Sequence, residues 1–178
     1  MEVRIDRSTT IAVVLIIAGI ALRLIPHTAN FAPVGAIALF GGAVLSARIA
    51  WWLPLAIMVV SDLFLGLHGT ILFTWGGFLL VALFGMLLKN QKNWLRVPLG
   101  AMGAAVIFFI VSNFGVWVEG KLYPHTWQGL VDCYVMAIPF LKTSLMADFA
   151  YSIALFSAFA LAAQSTKKAR LEDHPKQA

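Results

Sequence analysis

From Thr9 to Gln164 the sequence is a succession of apolar runs broken by short polar punctuation, and the runs are too long for soluble core helices. A chain built this way suits one solvent, a lipid bilayer. Within hydrocarbon every backbone N–H and C=O must be paired internally, so only helices or a closed barrel can cross. The runs are continuous, without the apolar/polar alternation of barrel strands of about ten residues, and therefore predict helices. Composition agrees: 61% of the 178 residues are hydrophobic and 12% charged, against about 45–50% and about 25% in an ordinary soluble domain. A water-soluble globule is excluded.

The expected fold is an all-α integral membrane protein, a six-transmembrane-helix bundle. Residues 1–8 form a polar N-terminus, 9–164 the membrane domain and 165–178 a basic tail. Span one is read at Thr9–Ile25, as a retained helix, and is closed by the proline-flanked loop Pro26–Pro33. Span two, Val34–Ala47, is short and rich in Gly and Ala; Arg48 separates it from span three, Trp51–Gly66. The turn Leu67-His68-Gly69 leads into span four, Thr70–Leu88, and the basic connection Lys89–Arg96 into span five, Val97–Val118. After the loop Glu119–Gln128, a short helix over 129–141 is expected to end near Pro139, before span six, Leu141–Gln164. Six spans of about 20 residues leave only short loops and no room for a soluble catalytic domain.

Lys and Arg in short loops set orientation. Arg4, Arg7, Arg48, Lys89, Lys92, Arg96, Lys167, Lys168 and Arg170 fall on one side of this plan, and Arg23, Lys121 and Lys142 on the other. That asymmetry predicts cytoplasmic termini. It also accounts for the net charge of +5 without nucleic acid as a partner. Trp51, Trp52, Trp94, Trp117 and Trp127 stand where interfacial aromatic belts belong.

The same orientation gathers the unusual residues in the outer third of the bundle. Asp62 lies near the outer end of span three, Asn113 and Trp117 share a face of span five, and Ser144, Asp148, Tyr151 and Ser152 share a stripe of span six. His27, Asn30, Phe31, His68, Tyr123 and His125 come from outer loops. An ionisable group within a span is costly and marks a ligand or ion pathway. Acids, an amide and aromatics at similar depth suit a pocket for a partly apolar small molecule. Its expected walls are Asp62, Asn113, Trp117, Asp148 and Tyr151, with His27, Asn30, Phe31, His68 and Tyr123 in or under a lid formed by loop 26–33. Blander roles stand beside these. Asp62 can stabilise a helix end, Asp148 can make a buried bond to Tyr151 or Asn113, and Trp117 and Trp127 can be belt anchors.

The three outer histidines have neither metalloprotease nor structural-zinc spacing, so no metal site and no cofactor is expected. Cys133 reads as a small apolar filler. Small residues recur at Ala38, Gly42 and Ser46 in span two, and at Gly100 with Ala104 and Ala101 with Ala105 in span five. Such stripes let helices approach closely, as internal packing faces or as docking faces for a partner.

Several stretches carry a resemblance that covers about residues 9–164. They are Pro26-His27-Thr28-Ala29-Asn30-Phe31-Ala32-Pro33-Val34-Gly35-Ala36-Ile37-Ala38-Leu39-Phe40-Gly41-Gly42, Ser61-Asp62-Leu63-Phe64-Leu65-Gly66-Leu67-His68, Ser112-Asn113-Phe114-Gly115-Val116-Trp117, and Tyr123-Pro124 followed by Cys133-Tyr134-Val135-Met136-Ala137-Ile138-Pro139-Phe140. Together they resemble a family of uncharacterised bacterial membrane proteins regarded as transport proteins. That family is similar to the substrate-binding S subunits of energy-coupling-factor vitamin transporters. The resemblance implies an S-component-like bundle in the bacterial inner membrane, with a vitamin-like ligand bound from outside under loop lids. It also implies an energy-coupling membrane subunit with ATPases as a partner. S subunits often dock that partner through Ala-xxx-Ala-type pairs on the first helix. Span one lacks such a pair in its central run, which keeps solitary action, as in S-like cobalamin transporters, among the expectations. Those transporters ligate cobalt through a cysteine; Cys133 has no clear match to it, and His68 or His27 would be axial candidates.

The leading expectation is thus a membrane substrate-binding or transport protein for a vitamin-sized micronutrient, not an enzyme. A solitary corrinoid transporter is one alternative. A small intramembrane enzyme using Asp62 and Asp148 as an acid pair is another, and an assembly subunit docking through its small-residue stripes is a third.

Overall fold

The computed structural model describes residues 7–89 and 96–173, with side chains for 8–89 and 96–165. Arg4, Lys92 and Trp94 lie outside the described residues, as do the side chains of Arg7, Lys167, Lys168 and Arg170. The described chain is helical, with no strand: α1 (Arg7–Leu24), α2 (Val34–Val44), α3 (Ala47–Ala50), α4 (Leu53–Leu65), α5 (Ile71–Leu87), α6 (Arg96–Glu119), α7 (Trp127–Met136) and α8 (Ile138–Asp173). Among these residues three segments are long and apolar enough to cross a membrane: Ala47–Leu65, Arg96–Glu119 and Ile138–Ser165. Ser8–Leu24, Val34–Val44 and Ile71–Leu87 are apolar but shorter. Large apolar side chains face outward along the bundle, among them Ile17, Leu63, Phe64, Leu72, Leu99 and Leu161. This is the surface of a membrane protein.

Two expectations about the C-terminal third are corrected. The short helix runs over α7 rather than 129–141, and Pro139 does not end it. Pro139 sits in the first turn of α8, where its missing N–H is one of the surplus donors of any helix start. Pro54 occupies the same place at the start of α4. Nor does the last helix stop at Gln164; its backbone continues through the basic tail to Asp173.

α2 is the axis of the packing. Every residue from Val34 to Gly42 is buried, against α5, α8, α6 and α4. In lipid, moving a leucine from the membrane into the bundle gains little, so close packing and polar contacts must hold helices together. α2 shows how. A Cβ on Gly42 would strike the backbone of Ala82 and Gly85, and one on Gly85 would strike the backbone of Leu39. The two helices therefore touch backbone to backbone. Gly100, Ala101, Ala104 and Ala105 of α6 are likewise buried, with Ala101 and Ala104 packed among Leu39, Val81 and Ala82. Ala38 and Gly42 on α2 and the stripe on α6 are internal packing faces, whereas Ser46 lies beyond α2 and is exposed. On the other flank Phe40 meets Phe156 and Phe159 of α8 edge-on, at 5.1 and 5.7 Å.

At 1.5 Å per residue, the 11 residues of α2 span about 16 Å, half a hydrocarbon core of about 30 Å. The C-terminal end of α2 is tied to that of α5, where Lys89 Nζ donates to the Leu45 carbonyl at 3.1 Å. Its N-terminal end, Val34 to Ala36, is buried and follows loop 25–33.

Candidate functional site

Space is left beside the N-terminal end of α2. An inner cavity of about 220 Å³ is lined by Arg23, His27, Asn30, Gly35, Thr74, Phe108, Ser144 and Asp148, among others. A neighbouring outer cavity of about 430 Å³ is lined by His68, Asn113, Tyr123, Cys133 and Phe140, and again by Arg23, Asn30, Thr74 and Phe108. Four shared residues make the two cavities adjoining parts of one chamber. It lies where the C-terminal ends of α1, α4 and α6 meet the N-terminal ends of α2, α5 and α8.

Asp148 projects from α8 to the start of α2. It is 5% exposed and accepts a hydrogen bond from the backbone N–H of Ala36. Pro33, the N-cap residue, has no side-chain cap bond. Asp148 therefore supplies in tertiary contact what a local Ser or Asp supplies elsewhere: an acceptor for a surplus N–H at the helix start. The fit needs glycine at position 35, because a Cβ there would occupy the space of the Asp148 carboxylate. Neither Tyr151 nor Asn113 bonds to Asp148: Asn113 Nδ2 donates to the Phe109 carbonyl at 2.8 Å, and Tyr151 packs on Phe31 with ring centroids 5.9 Å apart.

Asp62 sits behind the chamber and not on its wall. Its Oδ1 lies 2.5 Å from Arg23 Nη1, and its Oδ2 accepts from Trp75 Nε1 at 2.7 Å. Arg23 also donates to Ser61 Oγ, which itself donates to the Ile57 carbonyl at 2.6 Å. Asp62 is 1% exposed; this network pairs its charge and ties α1, α4 and α5 together, which is what a buried ion requires. Asp62 and Asp148 thus have separate partners and no bond to each other.

Of the ten residues expected at the site, His27, Asn30 and Asp148 line the inner cavity, and Asn30, His68, Asn113 and Tyr123 the outer one. Phe31, Asp62, Trp117 and Tyr151 line neither. Trp117 braces the loop beyond α6, donating to the Pro124 carbonyl at 3.0 Å and meeting the His125 ring at 5.4 Å. The histidines are bonded locally: His27 Nδ1 donates to the Ile25 carbonyl, His68 bonds to Thr70, and His125 donates to the Val118 carbonyl. Asn30 has φ 63°, a left-handed conformation that asparagine tolerates, in a turn closed by the Phe31 N–H to Thr28 carbonyl bond.

Sequence reasoning missed Arg23, Thr74 and Phe108, and placed Ser144 on the stripe of Asp148 without naming it as a wall. Arg23 was read as an orientation charge, yet its place one turn before Pro26, at the depth of Asp62, is the signal for a membrane ion pair. Phe108 gives no signal in an apolar run; it is singled out only by stacking on Phe78 at 4.3 Å.

A family model described as "Family of unknown function (DUF6580)" matches residues 4–171. No curated protein and no solved structure matches the chain.

Proposed function

The chain belongs to the DUF6580 family, and we propose that it is an S-component-like protein of the bacterial inner membrane that binds a vitamin-sized micronutrient from outside and helps carry it inward. In this reading α1, α2 with its loop, α3–α4, α5, α6 and α8 make six crossings, with both termini cytoplasmic as the loop cations favour. The chamber then opens outward, and loop 25–33 with the α6–α7 loop forms its lid.

The observation that carries the reading is the pair of adjoining cavities, about 220 and 430 Å³, sharing Arg23, Asn30, Thr74 and Phe108. Together they fall within the range of small-molecule sites, roughly 300–1,000 Å³, with apolar walls and a few placed polar groups. That volume favours a vitamin-sized ligand over a corrinoid. The sequence carries no phosphate-binding loop of the nucleotide-hydrolysing kind, so the inward step draws on a partner ATPase module or on the ligand's own gradient.

Native mass spectrometry of the purified full chain tests this by looking for a retained small molecule, followed by a vitamin panel. The expected result is a ligand of a few hundred daltons, and reduced whole-cell uptake in Asn113→Ala and Asp148→Ala. No binding across the panel, with uptake unchanged in both variants, rules the reading out.

A further inference from the structure

Asp148 has no ion-pair partner among the described residues. Asp148 lines the inner cavity, and the ion pairs among the described residues are Arg23–Asp62 and Lys121–Glu119. The Ala36 N–H takes one acceptor site of the roughly four that a carboxylate offers. The cation on the same cavity, Arg23, already has Asp62 at 2.5 Å, and His27, the other titratable group on that wall, makes no ion pair with Asp148. Asp148 is therefore the carboxyl group on the inner cavity's wall that no cation pairs among the described residues.

Two further features point the same way. Phe78 and Phe108 also line the cavity, and aromatic faces attract cations through the ring quadrupole. Ser144, 6% exposed and one helical turn before Asp148, adds a hydroxyl on the same face, able to accept a second hydrogen bond.

We infer, resting on the chamber as a ligand site, that the inner cavity receives a cationic, N–H-donating end of the ligand on Asp148. Protonated amines, amidines and positively charged amino-heteroaromatic rings have that chemistry. The remainder of the ligand occupies the outer cavity, among Phe140, Val116 and Tyr123. Neutral and anionic molecules of the same size are disfavoured, because each would leave the carboxylate desolvated and unmatched.

The test uses detergent-purified full chain, with thiamine as a cationic probe, riboflavin as a neutral one and biotin as an anionic one. Binding is read by native mass spectrometry and by thermal shift. Wild-type protein is expected to select thiamine. Asp148→Asn keeps the volume and an acceptor for the Ala36 N–H, so it should fold as wild type while binding thiamine about tenfold or more weakly, the loss of one charge-assisted hydrogen bond. Wild-type selectivity is read independently of whether any variant folds. Thiamine binding that is unchanged in Asp148→Asn overturns the inference, with Asp148 left as a helix cap alone. Selection of riboflavin or biotin, sensitive to Asn113→Ala, overturns it while the chamber reading survives. Binding of none of the three overturns it, and failure across a wider vitamin panel removes the chamber reading as well.

Discussion

Arg23 Nη1 and Asp62 Oδ1 stand 2.5 Å apart, joining the last turn of α1 to the last turn of α4, with Arg23 on the chamber wall and Asp62 off it. The two charges are not equivalent. Asp62 is enclosed, whereas the Arg23 side chain, 15% exposed, borders both cavities. Removing the cation strands a buried carboxylate; removing the carboxylate leaves a guanidinium that can still reach water.

Arg23→Met should therefore be the more damaging of the two single changes, costing about 3–5 kcal/mol. Asp62→Asn should cost less, since the amide can still accept from Trp75 Nε1. The double variant Arg23→Met/Asp62→Leu should recover much of the loss, because an apolar pair no longer carries a buried charge. Unfolding in detergent measures the order. Equal losses in the two single variants would show that Arg23 is as enclosed as Asp62.

Glycines on α2 and α5 separate packing from helix propensity. At Gly35 a Cβ would displace the Asp148 carboxylate, while at Gly76 of α5 a Cβ meets nothing within 4 Å. Gly35→Ala should lose about 1–3 kcal/mol through overpacking and should impair ligand binding through Asp148. Gly76→Ala should gain up to about 1 kcal/mol, the difference in helix propensity, with binding intact. Parallel melting curves and binding isotherms distinguish the two.

How much of this was legible in the sequence depends on the range of the interaction. The starts and ends of α1, α4, α5 and α6 and the start of α2 follow from hydrophobic run length and from Pro and Gly punctuation, which are local; α2 ends at Val44 and not at Ala47. The placing of Asp62 and Asp148 toward one end of the bundle also followed, because depth is counted along one helix. Their partners did not. The Ala36 N–H is 112 positions away from Asp148 in the chain, and no periodicity announces that a buried helix start needs a distant cap. Pro139 misled for a similar reason: proline both ends and begins helices, and the immediate start of α8 after Ala137 decided between them.

Ser152 lies one turn beyond Asp148, fully buried, and its hydroxyl has no hydrogen-bond partner. A buried orphan polar group costs about 1–3 kcal/mol, part of which alanine should recover. Ser152→Ala is expected to be neutral or stabilising by up to about 1 kcal/mol, unlike most changes in a packed helix interface. A clear loss of stability in the variant would show that the hydroxyl has a bound partner in the membrane.

Cys133 offers a chemical reading of how α7 is held over the outer cavity. The side chain is 2% exposed, its thiol donates to the Asn113 carbonyl at 3.4 Å, and burial pushes its pKa above the ordinary range. Thiolate is the reacting form, and each unit by which the pKa rises cuts the thiolate fraction at neutral pH about tenfold. Maleimide labelling of the folded protein at pH 7 should therefore be slow, and should continue to accelerate above the pH at which a free cysteine levels off. α7 is held at its start by Thr126 Oγ1, which accepts from the Gly129 N–H at 3.1 Å. Thr126→Ala removes a cap worth about 0.5–2 kcal/mol and should speed labelling of Cys133 by loosening the helix that carries it. Since Cys133 also lines the outer cavity, a bound ligand should slow labelling further in both proteins. Wild-type labelling at the rate of an exposed thiol would mean that α7 stands away from α6 and leaves the outer cavity open.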